Sequence, residues 1–169
     1  MMANVDYEME LISGIYEILP NRFGAGIIQN NFELLGEIKY TDSEINYANT
    51  ILKETGKELK GLDGTIKPLR PTLPATGGST DVGDVSQVVP VVRLRTTTAA
   101  KDGPWHSWAV VACTGMSIGH KGMIYASKAL AMTMLDLYKN PKLIDGVRKE
   151  FLVRKGDRVY VPQIPLSLI

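Results

Sequence analysis

The sequence predicts an α/β fold, and three observations carry that expectation. Residues 5–11 alternate apolar and acidic side chains with the period of a half-buried strand. Two apolar runs rich in β-branched residues follow late in the chain, at 88–98 and 109–113. The segments between and after them repeat their apolar residues with helical spacing. The chain has 169 residues, 44% of them hydrophobic and 22% charged. That is the composition of a soluble globular domain, long enough to bury roughly 68–70% of its surface around one core.

The first element puts Val5, Tyr7, Met9 and Leu11 on one side and Asp6, Glu8 and Glu10 on the other. A strand must pair its N–H and C=O groups. No second strand follows soon, because after Ile15–Leu19 the chain reaches Pro20–Asn21 and the period turns helical. The opening therefore reads as the last strand of a sheet whose other strands lie elsewhere. Asn21 is a suitable N-cap for a helix carrying Phe23, Ile27, Ile28, Leu34 and Leu35 and ending near Gly36. Thr41-Asp-Ser-Glu44 is a capping box, and Ile45, Ala48, Ile51 and Leu52 form a stripe that stops at Gly56.

Residues 56–78, dense in Gly, Pro and Lys, read as a long loop. Residues 88–98 then suit a buried strand, with Pro90 near its start or at an edge, and Ala109 to Cys113 a second short one. From Ile118 to Tyr138 a helix is expected, with Met123, Ser127, Leu130, Met134 and Leu137 along one face. The methionines at 123, 132 and 134 read as its core filler. Pro141 opens a final short helix through Phe151, and the tail beyond Val159 is expected to be extended.

Several function classes are excluded on totals and motifs. A formal net charge of +1 gives no electrostatic reason to capture nucleic acid or a membrane. The Arg148–Lys149 and Arg154–Lys155 cluster reads as a solvated helix face. A single cysteine, Cys113, allows no internal disulfide and suits a reducing compartment. The start lacks a basic region followed by an apolar stretch, and no apolar run approaches the ~18 residues of a membrane helix. A soluble, cytoplasmic chain is expected. There is no Walker-type loop or His-Glu-x-x-His helix. Cys113, inside a very apolar run, reads as a core residue.

The residues that remain are few. His106, in Pro104-Trp-His-Ser-Trp108 just before an expected strand, is either a metal ligand or a histidine satisfied within a turn. His120, in Ser117-Ile-Gly-His-Lys-Gly122, stands at a helix start where free N–H groups and Lys121 favour an anion such as a carboxylate. The plainer reading is a capping turn at Ser117 with a surface lysine. In Ser79-Thr-Asp-Val-Gly-Asp-Val-Ser86, Asp81 and Asp84 stand among Ser79, Thr80 and Ser86. That loop could support a metal site, anchor a histidine or bind substrate, and it could equally cap a helix. It does not fit an EF-hand.

Four segments in order, Leu19-Pro-Asn-Arg22, Ser79 to Ser86, Pro104 to Trp108 and Ser117 to Met123, resemble the aminobenzoyl-glutamate utilization protein B group of zinc-dependent aminoacylase-like amidohydrolases and metallopeptidases. The resemblance implies a two-metal catalytic domain interrupted by a smaller lid domain that also mediates dimerisation. It makes residues 1–19 the last strand of the lid and 20–169 the C-terminal half of a phosphorylase/hydrolase-like catalytic domain. By this mapping His106 is the late histidine ligand, Ser79, Thr80, Asp81 and Asp84 line the site, and Asn21 and His120 are candidate substrate or supporting contacts. The remaining ligands and the glutamate general base would come from an N-terminal half or a separate chain supplying it. Zinc or manganese would be the cofactor of the completed enzyme, a small amide its substrate and a homodimer its expected state. Two further readings stay open: an inactive half-domain serving in binding or assembly, with the strand at 5–11 pairing to a symmetry mate, and a minimal metal site made from His106, His120 and Asp81.

Overall fold

The computed structural model describes residues 5–70 and 80–164, which contain six helices. α1 is Arg22–Leu35, α2 Asp42–Glu54, α3 Val82–Val88, α4 Trp108–Thr114, α5 Ser117–Lys139 and α6 Pro141–Lys155. Among the described residues no strand is present. None of these helices is long and apolar enough to cross a membrane.

The ends of the helices follow the local chemistry of the sequence. The Asn21 side chain accepts from the Gly24 N–H, and Gly36 at φ 75° closes α1. Thr41 and Glu44 form the expected reciprocal capping box on α2. Asn140 caps α6 with Pro141 in its first turn, and Gly156 at φ 57° ends it. Arg148, Lys149 and Arg154 lie exposed on α6, as expected, with Arg154 paired to Glu150 at 2.7 Å.

Two packed regions meet along α5. Ala48, Ile51 and Leu52 of α2 join Ala109 and Cys113 of α4, Ile118 and Ala100 in one core, with Tyr47 and Leu62 against it. In the other, α1 lies against α5 and α6, burying Ile27, Ile28, Val147 and Phe151. There Asn31 donates to Thr133 at 3.1 Å and to Asp136 at 2.9 Å. Residues 57–70 form the described part of the long loop. They are fastened by the Gly61 N–H on Asn49 and by Asp63, which holds both Lys67 and Lys101 near 3 Å.

Three expectations are corrected here. Residues 109–113 are not a strand: they lie inside α4, because Ser107 accepts from the Ala109 N–H and starts a helix. A five-residue apolar run cannot be told from a buried helical turn by periodicity alone. Second, the run at 88–98 begins in α3 and continues, past an extended Val89, without a strand or a ladder. Residues 90–96 form no backbone-to-backbone hydrogen bond among the described residues, and residues 5–11 likewise form none. The β half of the expected α/β architecture, including the lid strand, is therefore not found among the described residues.

Third, the large apolar row of α5 is not its core face. Met123, Leu130 and Met134 are exposed, while Ile118, Gly119, Gly122, Ala129 and Thr133 are buried. Close backbone approach selects the small residues. A Cβ on Gly122 would stand 2.3 Å from the Thr97 carbonyl oxygen, and one on Gly119 2.0 Å from that of Thr114.

Candidate functional site

His106 occupies the turn before α4. Ser107 closes that turn by donating to the Pro104 carbonyl at 2.7 Å, and its oxygen then caps the helix. His106 has φ 56°, a left-handed conformation that histidine adopts more readily than most residues but at some cost. Its side chain is exposed, as are Trp105 and Trp108 on either side. A shallow apolar depression lined by Ala100, Gly103, Pro104, Trp105 and Ala109 adjoins the turn. The histidine precedes a helix rather than the expected strand.

Ser79 lies outside the described residues; the rest of its segment forms a clasp. Thr80 accepts weakly from the Val82 N–H at 3.4 Å, and Asp81 takes the N-cap position of α3 without a side-chain bond. Asp84 accepts from the Tyr16 N–H at 3.4 Å and the Tyr160 hydroxyl at 3.1 Å. Burial and the neighbouring Asp84 carboxylate both push the Tyr160 phenol up. Ser86, fully buried, accepts from the Leu19 N–H at 2.8 Å and donates to the Gly83 carbonyl, while Gln87 donates to the Glu17 carbonyl. A Cβ on Gly83 would stand 1.8 Å from the Tyr16 carbonyl oxygen, so only glycine lets the two segments touch. This stretch binds residues 16–19 to the body of the protein.

Asn21, two residues beyond Leu19, is buried. It donates to the Val147 carbonyl at 2.8 Å while capping α1, so its amide joins α1 to α6. The clasp and Asn21 thus share one edge of the molecule, on either side of Pro20.

The start of α5 departs most from expectation. Met116, not Ser117, takes the N-cap position, and His120 is exposed in the first turn. The anion expected there is the chain's own Glu44. Its carboxylate accepts from Lys121 at 2.6 Å, the Ser117 hydroxyl at 2.7 Å, the Thr41 N–H at 2.7 Å and the Thr41 hydroxyl at 3.2 Å. Burial opposes ionisation, but these donors outweigh it and hold the carboxyl down at about 2. Lys121 also donates to the Lys39 carbonyl and lies over the Tyr40 ring. Burial, with Glu44 nearby, pushes the Tyr40 phenol up to about 12. The capping box gave half of this cluster; the bonds from Ser117 and Lys121, more than 70 residues away, left no trace in the local sequence.

These positions do not converge on a metal centre. Among the described residues no group of three or more His, Cys, Asp or Glu could hold an ion. His106, His120 and Asp81 are not gathered, and a catalytic zinc takes about three protein ligands. By themselves the described residues do not fit a divalent metal.

No protein-family model and no solved structure matches the chain. Among curated proteins it is 35% identical over 107 residues to a subunit of the p-aminobenzoyl-glutamate hydrolase of Escherichia coli (strain K12), a stretch covering 63% of this chain and 22% of that protein. It is 39% identical over 74 residues to Xaa-Arg dipeptidase of Mus musculus, covering 44% of this chain and 17% of the relative. The matched stretch thus spans about a fifth of the length of these relatives. The chain is similar to one portion of an aminobenzoyl-glutamate hydrolase-like amidohydrolase, the group that its four motifs resemble.

Proposed function

We propose that this chain is a portion of a metal-dependent amidohydrolase, active on amide bonds of aminobenzoyl or N-acyl amino acids or small dipeptides only when further polypeptide completes it. The observation that carries this reading is a pairing: similarity to such enzymes over 107 residues, in a chain whose best ligand candidate stands alone. His106 would be the ligand it contributes, and the general base and the other ligands would come from the completing polypeptide. The residues of this chain then supply scaffolding: Asp84, Ser86 and Gln87 hold residues 16–19, and Ser107 fixes the turn that presents His106. Residues 5–11 and 90–96, which form no backbone-to-backbone hydrogen bond among the described residues, and the apolar outer face of α5 support the reading, since both are surfaces that further chain would cover.

The test is to assay the purified chain on N-acetyl amino acids and aminobenzoyl-glutamate with zinc or manganese, and to measure its metal content. The expected results are no turnover and no stoichiometric metal. Turnover should appear when polypeptide corresponding to the rest of the relatives' length is supplied, and should vanish with His106→Ala. Hydrolysis by the chain alone that is lost in His106→Ala would sink the proposal of an incomplete site. The second reading, an inactive assembly module, draws on the exposed 5–11 segment; self-association with no gain of activity upon completion would favour it.

A further inference from the structure

His106 takes its placement from its backbone. Its imidazole is exposed and makes no hydrogen bond or ion pair among the described residues. The backbone beneath it is strained. Asp102 at φ 58° and His106 at φ 56° are the two non-glycine residues in the left-handed region among the described residues, and they bracket the turn. Conformations of that kind persist only where surrounding structure over-determines them. Ser107 closes the turn on the Pro104 carbonyl, and the Gly103 N–H donates to the Ala100 carbonyl at 3.2 Å. Both bonds lie within the turn and its approach, so neither fixes it to the rest of the molecule.

The outside restraint comes from the loop that follows α2. The Lys101 N–H donates to the Gly61 carbonyl at 2.9 Å, and the Thr97 hydroxyl donates to the Asp63 carbonyl. Side chains repeat the connection: Asp63 pairs with Lys101 at 3.1 Å and Lys60 with Asp102 at 3.0 Å. The loop is itself tied down. The Gly61 N–H donates to Asn49 of α2 at 2.8 Å, the Gly64 carbonyl accepts from the Ile38 N–H at 3.1 Å, and Leu62 packs against the core. A continuous run of contacts therefore leads from α2 through residues 60–64 to Thr97, Lys101 and Asp102, and so to the His106 turn.

We propose that residues 60–63 are a brace that sets the orientation of His106, with Asp63 as the positioning residue. Its carbonyl and its carboxylate grip the approach to the turn at two points, Thr97 and Lys101. The exposures favour positioning over bulk stability. Lys60 and Asp102 are 38% and 63% exposed and Lys101 is 40% exposed, and ion pairs so open to water add little to folding. They suffice to bias a short strained segment, where the competition is between local conformers of a folded chain. Asp63 also holds Lys67 at 2.9 Å, but the polar contacts of Lys67 stay within the loop. The bearing of the brace on activity rests on the role proposed for His106. The brace itself is tested in the chain alone, so a completed enzyme that fails to turn over would leave it standing.

Amide order parameters from nitrogen-15 relaxation of the whole chain provide the test, read at Asp102, Gly103, Trp105 and His106. Wild type is expected near the value of rigid backbone, about 0.85, and Asp63→Asn and Lys101→Met should each fall there towards about 0.6. Asp63→Glu, which keeps the charge, should restore most of the order. Lys67→Met removes the other lysine on Asp63 and should leave the turn as rigid as in wild type. Asn31→Ala deletes the bonds to Thr133 and Asp136 in the other packed region. It should lower the melting temperature without loosening the turn, so general destabilisation does not pass as loss of the brace. His120, the other histidine of the chain, should keep its order throughout. A turn already mobile in wild type overturns the inference, as does one that stays rigid in both Asp63→Asn and Lys101→Met. Equal loosening in Lys67→Met or in Asn31→Ala overturns it too.

Discussion

Replacing Glu44 by glutamine should uncouple the first turns of α2 and α5, with a pH signature that identifies the cause. The carboxylate is buried, accepts four hydrogen bonds and has its pKa lowered from 4.5 to about 2. A depression of that size corresponds to about 3 kcal/mol of folding stability. Lys121 is 36% exposed, so water takes over part of its pairing, and a loss of about 2 kcal/mol is expected for Glu44→Gln at pH 7. Because the folded-state pKa is the lower one, the stabilisation is complete above about 4.5 and is lost as pH falls towards about 2. Urea unfolding of wild type and variant at pH 7 and pH 3 measures this directly. The gap at pH 3 should shrink to about 1 kcal/mol or less, because the wild-type carboxylate has given up most of its advantage there. An equal gap at both pH values would refute the electrostatic account, and one under about 0.5 kcal/mol at pH 7 would refute the staple itself.

Other contacts make separate predictions. Asn21→Ala removes both the α1 cap and the bond to Val147 and should cost about 2–3 kcal/mol, whereas Asn21→Asp keeps the cap and should cost about half as much in the same urea titration. Ser86→Ala leaves the Leu19 N–H without its acceptor, so a loss of about 1–3 kcal/mol is expected, with limited proteolysis cutting first near residues 14–19. His106→Gly relieves the left-handed backbone at φ 56° and should exceed His106→Ala in stability by about 1 kcal/mol. Equal melting temperatures for those two would show that the turn carries no strain.

What could be read in advance was chemistry confined to a few neighbouring residues. Asn21 and the Thr41–Glu44 box each specify a helix start through a side chain and the backbone N–H groups two or three residues on, and Pro141 marks a third through its fixed φ. All three starts stand where the sequence put them. Ser86 and Asp84 were legible as polar residues in a special loop, but not as the partners of Leu19 and Tyr16, because those contacts join positions 67 and 68 residues apart. The Ala109–Cys113 run misled because apolar β-branched residues suit a buried helical turn as well as a strand, and Ser107, which decides between them, acts through a cap two residues away. The resemblance pointed to His106, yet one exposed imidazole in a turn does not make a metal site, and the structure brings it no companion ligands among the described residues.

The orientation of α5 rests on size rather than hydrophobicity, and two adjacent residues can test that. Its exposed arc holds Met123, Ile124, Leu130, Met134, Leu135 and Tyr138, while its buried arc is largely glycine, alanine and threonine. A helix apolar on both sides gives the hydrophobic pattern nothing to choose between. The choice falls to backbone approach, since the Thr97 carbonyl comes so close that Gly122 has no room for a Cβ. Gly122→Ala should therefore cost about 1–3 kcal/mol or more in the isolated chain, because the obstacle is a carbonyl oxygen and no rotamer change relieves it. Met123→Gln, one residue on and 56% exposed, should cost under about 1 kcal/mol. If the row of large side chains were the true core face, the order would reverse: the methionine would be the expensive change and the glycine the tolerant one. Urea unfolding of the two variants side by side thus decides which face of α5 packs inside the chain and which remains available for something else to cover.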